Sequence, residues 1–586
     1  MSILAPSKTD TKHWHPVAFN SIRTLSSWHT IVTVTVLTAP HTRKTTATAT
    51  VTMVEVKVPA VTAEEHLRVA NEQSPEFELV EWRKDPALRK LYILCTFGLM
   101  IASATTGYDG SLVNLLLNYN HWEKYFDNIG GAHATVHQTS LLGLLTNMFT
   151  IGSIISMFIV PPMVDRWGRK PSIIAGCCFM IVGCFINTFA TSYGMFCAGR
   201  FILGFGNSMS QLVSPILLTE IVHPQHRAPV TAVYNCLWNF GSLICTLIGY
   251  GLQFVENDWS WRALTLFQVV PAACQLCFIW FIPESPRWLI SKDRNEEALK
   301  TLAKYHANGN ENNLTVQFEY REIKETLRIE TEVTHSTSYM DFFKTKGNRW
   351  RLAIIVSIGI ISQYSGNAVI SNYAHLIYLS CGISGQKPQL GLQIGNTLLS
   401  LIVSISAAFL INRVGRRPLF ITSACGMVIS FMLWTVMAAE YENRGQPKQL
   451  GIAQIVLVWI FGIFYSVGFS GLLVAYTIEI LPYHLRAKGV MIMNMTVQAI
   501  LAISAQTNSV AITQLPKTYY FWIFYTCWDV LEAIWVYFVF VETKGPTLEE
   551  IAVIFDGEEA VAHIDIVQTE KEIEIHQTEI ANEKHV

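Results

Sequence analysis

Asp109 stands at the end of a long apolar run. An ionisable group there is costly and calls for a partner or a cavity. A carboxyl so placed can hold and release a proton. Amide side chains recur at helical spacing in other apolar runs. Asn235, Asn239 and Ser242 fall at i, i+4 and i+7. Gln363 and Asn367 lie one turn apart, with Asn372 and Tyr373 beyond. Gln393 shares a face with Asn396, Asn494 with Gln498, and Asn207 with Gln211. Amides donate and accept at once, so they suit a ligand rich in hydroxyls, with an aromatic ring as platform. Bonding between helices is the competing use of any one of them, but convergence of four helices favours a ligand. Asp529 and Glu532, at i and i+3 in a run rich in Trp, Phe and Tyr, fit a local hydrogen-bonded pair better than a second proton site or an outer vestibule.

The elements that position these residues must be membrane helices. The chain has 586 residues, of which 51% are hydrophobic and 15% charged, against about 25% charged in a soluble domain. Mean hydropathy is +0.31. A balance of 42 Lys+Arg against 44 Asp+Glu excludes a nucleic-acid binder. Of the twelve cysteines all but Cys381 lie in apolar runs, which excludes a disulfide scaffold; the Cys274/Cys277 pair has no further metal-ligand types nearby. Twelve runs approach the ~20 apolar residues a bilayer requires. They lie near 90–112, 136–160, 171–191, 194–218, 229–253 and 262–282, then 351–379, 390–411, 418–439, 451–474, 488–512 and 518–541. Lipid offers no partner for backbone groups, so each must be a helix.

The predicted fold is therefore all-α: a polytopic membrane protein with twelve transmembrane helices in two six-helix halves. A polar tail, 1–88, precedes the first half, 89–282. A charged helical linker, 283–350, leads to the second half, 351–541, and an acidic tail, 542–586, follows. Basic residues in short loops number nine on the linker's side, Arg166 and Arg417 among them, and five on the other. That asymmetry puts the linker and both termini in the cytoplasm. Residues 11–54 lack acids and are rich in Ser and Thr, which imitates a transit peptide; a disordered tail, or a true start at Met53, fits better. The sequon Asn313-Leu314-Thr315 falls on the cytoplasmic side and is expected to be unused.

The two halves repeat each other. Asp165-Arg166-Trp167-Gly168-Arg169-Lys170-Pro171 returns 247 positions later as Asn412-Arg413-Val414-Gly415-Arg416-Arg417-Pro418. Thr219-Glu220 and Arg227-Ala228 return as Ile478-Glu479 and Arg486-Ala487, and Pro283-Glu284-Ser285 as Val541-Glu542-Thr543. Two parallel halves about an axis along the membrane normal are a secondary-transporter architecture, with the substrate at the midplane between them.

The paired loops resemble those of the major facilitator superfamily. Pro283-Glu284-Ser285-Pro286-Arg287-Trp288-Leu289, Gly199-Arg200 and Glu542-Thr543-Lys544-Gly545 resemble signatures of its sugar porter family. Gly107-Tyr108-Asp109-Gly110 and Gln363-Tyr364-Ser365-Gly366-Asn367-Ala368 look most like the fungal lactose and cellodextrin permeases. The resemblance implies that Arg200 is the partner of Asp109 in proton coupling, and that Asn235, Gln363 and Asn396 contact sugar. It implies a cytoplasmic gate in which Arg166, Arg169, Arg413 and Arg416, with Asp165, engage Glu220, Glu284, Glu479 and Glu542. Such a network, present in one state only, biases an equilibrium by a few kcal/mol. The chain departs from the hexose members at four positions: Val474 stands for their Trp, Gly471 for a Pro, Ser362 for a Gln, and Val541 for a Pro.

The expected function is proton-coupled import of a sugar, a disaccharide such as lactose or cellobiose or a hexose, by alternating access in the plasma membrane. The partners are a sugar, a proton and the lipid bilayer, with no cofactor and no nucleic acid. An uncoupled facilitator or small-metabolite exporter on the same scaffold is the alternative, and a non-transporting sugar sensor a further one. Neither a GxxxxGK[ST] loop nor an HExxH or GxSxG motif occurs, so neither an ATP-driven pump nor an enzyme is expected.

Overall fold

The computed structural model describes residues 82–127, 135–336, 338–482, 485–544 and 548–557. The expectations for most of the N-terminal tail, including the transit-like stretch and Met53, and for the chain beyond 557 lie outside the described residues. Among these residues twelve helices are long and apolar enough to cross a membrane. Spans one to six are Pro86–Leu116, Val136–Trp167, Arg169–Thr188, Tyr193–Ile221, Pro229–Leu252 and Trp259–Ile279. Spans seven to twelve are Lys346–Ser380, Gln386–Ala407, Arg416–Asn443, Lys448–Ile480, Lys488–Gln514 and Thr518–Val539.

Local chemistry starts these helices. The Asp85 carboxylate accepts from the Ala87 N–H ahead of Pro86. Thr135 and Gln138 form a capping box, and Ser192 and Thr345 cap spans four and seven. Small residues then let backbones approach closely. A Cβ on Gly152 would strike the Phe201 carbonyl, one on Gly204 that of Phe149, and Gly176 and Gly206 block each other in the same way. Spans two, three and four are locked together by these contacts.

Span one is interrupted by a π-helical turn at Thr96–Met100, and span seven by Ser365-Gly366. Gly366 has φ 93°, and a Cβ there would also meet the Phe431 ring. The break frees the Ser362 carbonyl, which accepts instead from the Tyr465 hydroxyl at 2.9 Å. Spans one, two and five of the first half pack against seven, eleven and eight of the second.

Two braces hold the ends on the linker side. Linker helices Pro286–Ser291, Asn295–His306 and Leu314–Ser336 fold back onto the first half. There Arg227 Nη2 lies 2.9 Å from Glu319 Oε1, and His306 sits between Glu319 Oε2 at 2.6 Å and the Ile221 carbonyl at 3.2 Å. The acidic tail, read from its charge after Pro546 as solvated, contains a packed element. Leu548–Asp556 is a helix docked on span seven, where Asp556 pairs with Arg351 at 2.7 Å and Ile551 and Phe555 are buried. Its apolar residues at i and i+4 supply a face that its charge count conceals.

Candidate functional site

The repeated loops build two matching networks on the linker face. Arg169 grips Glu220 with Nε and Nη2, both at 3.0 Å, while the Glu284 carboxylate accepts from the Arg169 and Lys170 backbone N–H groups at 3.1 Å. In the second half Arg416 grips Glu479 at 2.8 Å, and Glu542 accepts from the Arg416 and Arg417 N–H groups at 3.0 and 3.1 Å. Gly168 at φ 97° and Gly415 at φ 106° make the turns that aim these N–H groups at the carboxylates. Each carboxylate thus meets the positive end of a helix. Two features differ from the expected gate. These bonds run within each half, not across the face between halves. Arg166 and Arg413 stand exposed, and Asp165 contributes its backbone carbonyl, which accepts from Trp288 Nε1 at 3.2 Å. A shallow hollow of about 490 Å³ beside Arg417, Tyr537 and Glu542 belongs to this network and not to the central cleft.

Deeper in the first half, Asp109 is 1% exposed and Arg200 3%. They are close enough to feel each other's charge, but they do not form the expected ion pair. Asp109 Oδ1 instead accepts from Gln268 Nε2 of span six at 2.6 Å. The Arg200 guanidinium lies 4.8 Å over the Phe149 ring, with Nε and Nη1 unpartnered. The carboxyl and the guanidinium are thus both buried and have different partners. Gln268 was missed in the sequence; a lone glutamine in the apolar run Thr-Leu-Phe-Gln-Val-Val was the signal.

The amide residues divide into two groups. Asn235 is exposed, and Gln363, Asn367, Asn372, Asn396, Asn494 and Gln498 are half-buried. Of these, Asn367 donates to the Ser362 carbonyl and accepts from Ser371, each at 3.4 Å, while Gln393 is buried with Oε1 unpartnered; three others are engaged elsewhere. Asn239 Nδ2 donates to Ser404 Oγ of span eight at 3.0 Å, joining the halves. Tyr373 is fully buried and donates to the Ala505 carbonyl at 2.6 Å, so its hydroxyl ties span seven to span eleven instead of facing a ligand. Asn207 accepts from Thr106 Oγ1 at 3.1 Å, between spans four and one. Val474 is 46% exposed, beside the exposed Gly471.

Further bonds join the halves at the face away from the linker. The His375 N–H donates to Asn114 Oδ1 at 3.3 Å, and its ring lies 3.2 Å from Asn118 Oδ1 and 2.6 Å from Gln389 Oε1. Gln506 Nε2 donates to Ser140 Oγ at 3.1 Å. Toward the linker face Asn235, Gly471 and Val474 are open. The halves are therefore bonded to each other at the far face. His375 was also missed, because one histidine in an apolar run looks like ordinary core.

In span twelve Asp529 and Glu532 are 1% and 5% exposed. Glu532 Oε1 accepts from Trp528 Nε1, while both Asp529 oxygens and Glu532 Oε2 lack partners. The expected mutual hydrogen bond is not formed.

Comparison with known proteins agrees with this fold. The family model described as "Sugar (and other) transporter" matches residues 95–555. A high-affinity glucose transporter of Kluyveromyces lactis is 27% identical over 81% of this chain and 87% of its own. The MFS-type transporter criB of Aspergillus cristatus is 24% identical over 82% and 96%. The inward-open structure of the Escherichia coli xylose transporter XylE superposes with a TM-score of 0.65 at 21% identity, covering 79% of this chain and all of that one. A XylE structure described as a proton:xylose symporter bound to 6-bromo-6-deoxy-D-glucose gives 0.62 at 21% identity, over 80% and 99%.

Proposed function

Since the chain belongs to the sugar porter family of the major facilitator superfamily, we propose that it imports a sugar together with a proton. The observation that carries this reading is the buried Asp109, held by Gln268 and facing an unpaired Arg200, beside a cleft lined with amides. In the arrangement seen here the carboxyl and guanidinium are apart. Proton loss from Asp109 draws Arg200 onto it, which shifts span four against span one. Proton uptake on the opposite side separates them and favours sugar binding. A ligand moves such an equilibrium only by its difference in affinity for the two states, so proton and sugar must prefer the same one.

In this reading the basic loops put the linker face and both termini in the cytoplasm. Plasma-membrane residence, uphill import and the roles of Asn235, Gln363, Asn367, Asn396, Asn494 and Gln498 as sugar contacts belong to the same reading. The gate roles of Arg169, Glu220, Glu284, Arg416, Glu479 and Glu542 do too. Each pair braces its own half, and closure would bring the two braces together. The relatives' names support a hexose. The small side chain at Val474 leaves room for a disaccharide.

Uptake of labelled sugars into transporter-null cells, with and without a protonophore, tests this. Accumulation abolished by the protonophore is expected; accumulation unaffected by it ends the coupling scheme. The second reading, an uncoupled carrier or exporter of a small metabolite, draws on the small residues Gly471 and Val474, both exposed. Equilibration without accumulation would favour it.

A further inference from the structure

Span five carries a tryptophan that neither the loop networks nor the proton site uses. Trp238 is 38% exposed although it lies in the middle of the span. Its direction follows from the helix itself. Val233, Phe240, Ile244 and Leu247 are the other exposed large apolar residues of span five, and their spacings of seven, four and three make one stripe, the lipid side. At about 100° per residue Trp238 lies about 150° round the helix from that stripe, with Asn235 and Ser242 nearby.

The flanks of this arc are occupied. On one side is span one, where the Trp238 carbonyl packs on Gly107 and a Cβ on Gly110 would stand 3.5 Å from the indole Cζ2. On the other is span eight, through the Asn239–Ser404 bond. An exposed ring between spans one and eight, turned from lipid, faces the central cleft. Asn235, exposed one turn earlier, puts an amide beside it.

We propose that Trp238 is the stacking platform of the sugar site and selects for pyranose rings. A pyranose turns a patch of C–H bonds to the indole face while its hydroxyl rim stays in the plane of neighbouring amides. An acyclic polyol with the same hydroxyl count offers no such face. Asn235 binds the rim and Trp238 the ring. The inference rests on the sugar reading above and adds the residue and the ring form of the substrate.

The test is binding to the purified full-length protein in detergent, by calorimetry, with glucose, xylose, lactose, cellobiose and sorbitol. Wild type is expected to bind at least one pyranose sugar and to disfavour sorbitol. Trp238→Ala should weaken the preferred sugar by about tenfold or more, and Trp238→Phe by less than about threefold. The helix contact with Gly107 is made by the backbone, so these variants should fold. Should the alanine variant not fold, Trp238→Leu, which keeps bulk without a ring, must show the loss instead. Unchanged affinity in Trp238→Ala, while Gln363→Ala is weakened, overturns the platform and leaves the sugar reading standing. Preference of the wild type for sorbitol also overturns it. No binding of any sugar by folded wild type removes the sugar reading and the platform with it.

Discussion

The two six-helix halves share a shell and differ in their interiors. On the linker face each repeats the same device, a glycine turn, an arginine–glutamate grip and a carboxylate on a helix N-terminus. Inside, the first half buries a carboxyl, a guanidinium and an amide: Asp109, Arg200 and Gln268. The second breaks span seven at Gly366, where it carries Gln363 and Asn367, and buries two carboxyls of span twelve, Asp529 and Glu532. Even the braces have different origins, a linker for one half and a tail helix for the other. Duplication preserves what both halves need, a hinge at a membrane surface. The interiors are free to diverge, and the polar groups they bury are different in kind and place.

The largest expected effect comes from removing the charge. Asp109→Asn should abolish uphill accumulation, about a hundredfold or more in the steady-state ratio, yet leave sugar exchange across vesicles. A variant that still concentrates sugar would erase the division between halves. Next is the second half's amide. Gln363→Ala should raise KM about tenfold with little change in protein level, the loss of about one good hydrogen bond to a ligand. An unchanged KM would place selection elsewhere.

The shared shell predicts equality. Glu284→Gln weakens three charge-assisted bonds from backbone N–H groups and Glu542→Gln four, two in each case from the facing helix N-terminus. Each should lower stability by roughly 1 kcal/mol, read as similar falls in melting temperature. Unequal falls would show that the halves differ in their shells as well.

The smallest effect concerns the linker brace. Burial, helped by His306, pushes the His223 pKa down to about 4. The folded protein therefore refuses a proton that the unfolded chain, near the ordinary value of about 6.5, accepts. This stability is fully present above about pH 6.5 and drains away as pH falls toward 4. His223→Gln should flatten that acid-side slope in a melting series from pH 7 to 4. An unaltered slope would assign the acid sensitivity to another group.

Much of this was legible before any coordinates. Span count, the six-plus-six layout and the paired loops follow from hydropathy and from repeated residues such as Gly168 and Gly415. The loop glutamates were readable because the motif repeats with them. The interior was less so. Asp109 announces itself by its cost in an apolar run. Tyr373 and Asn239 look like ligand contacts by type and spacing, and the fold spends them on spans eleven and eight. His375, Gln268 and Trp238 pass as ordinary residues of apolar helices until their neighbours are known.

Sequence alone determined that the chain is a bundle of twelve membrane helices in two related halves, because lipid forces helices wherever apolar runs are long enough. It also marked which positions are chemically expensive. The tertiary structure decided which polar groups are already satisfied, at which face the halves are bonded to each other, and that Asp109 rests on Gln268 and not on Arg200. Those outcomes depend on distances between helices far apart in the chain. A polar side chain within a helix carries no mark of whether its partner will be another helix or a ligand.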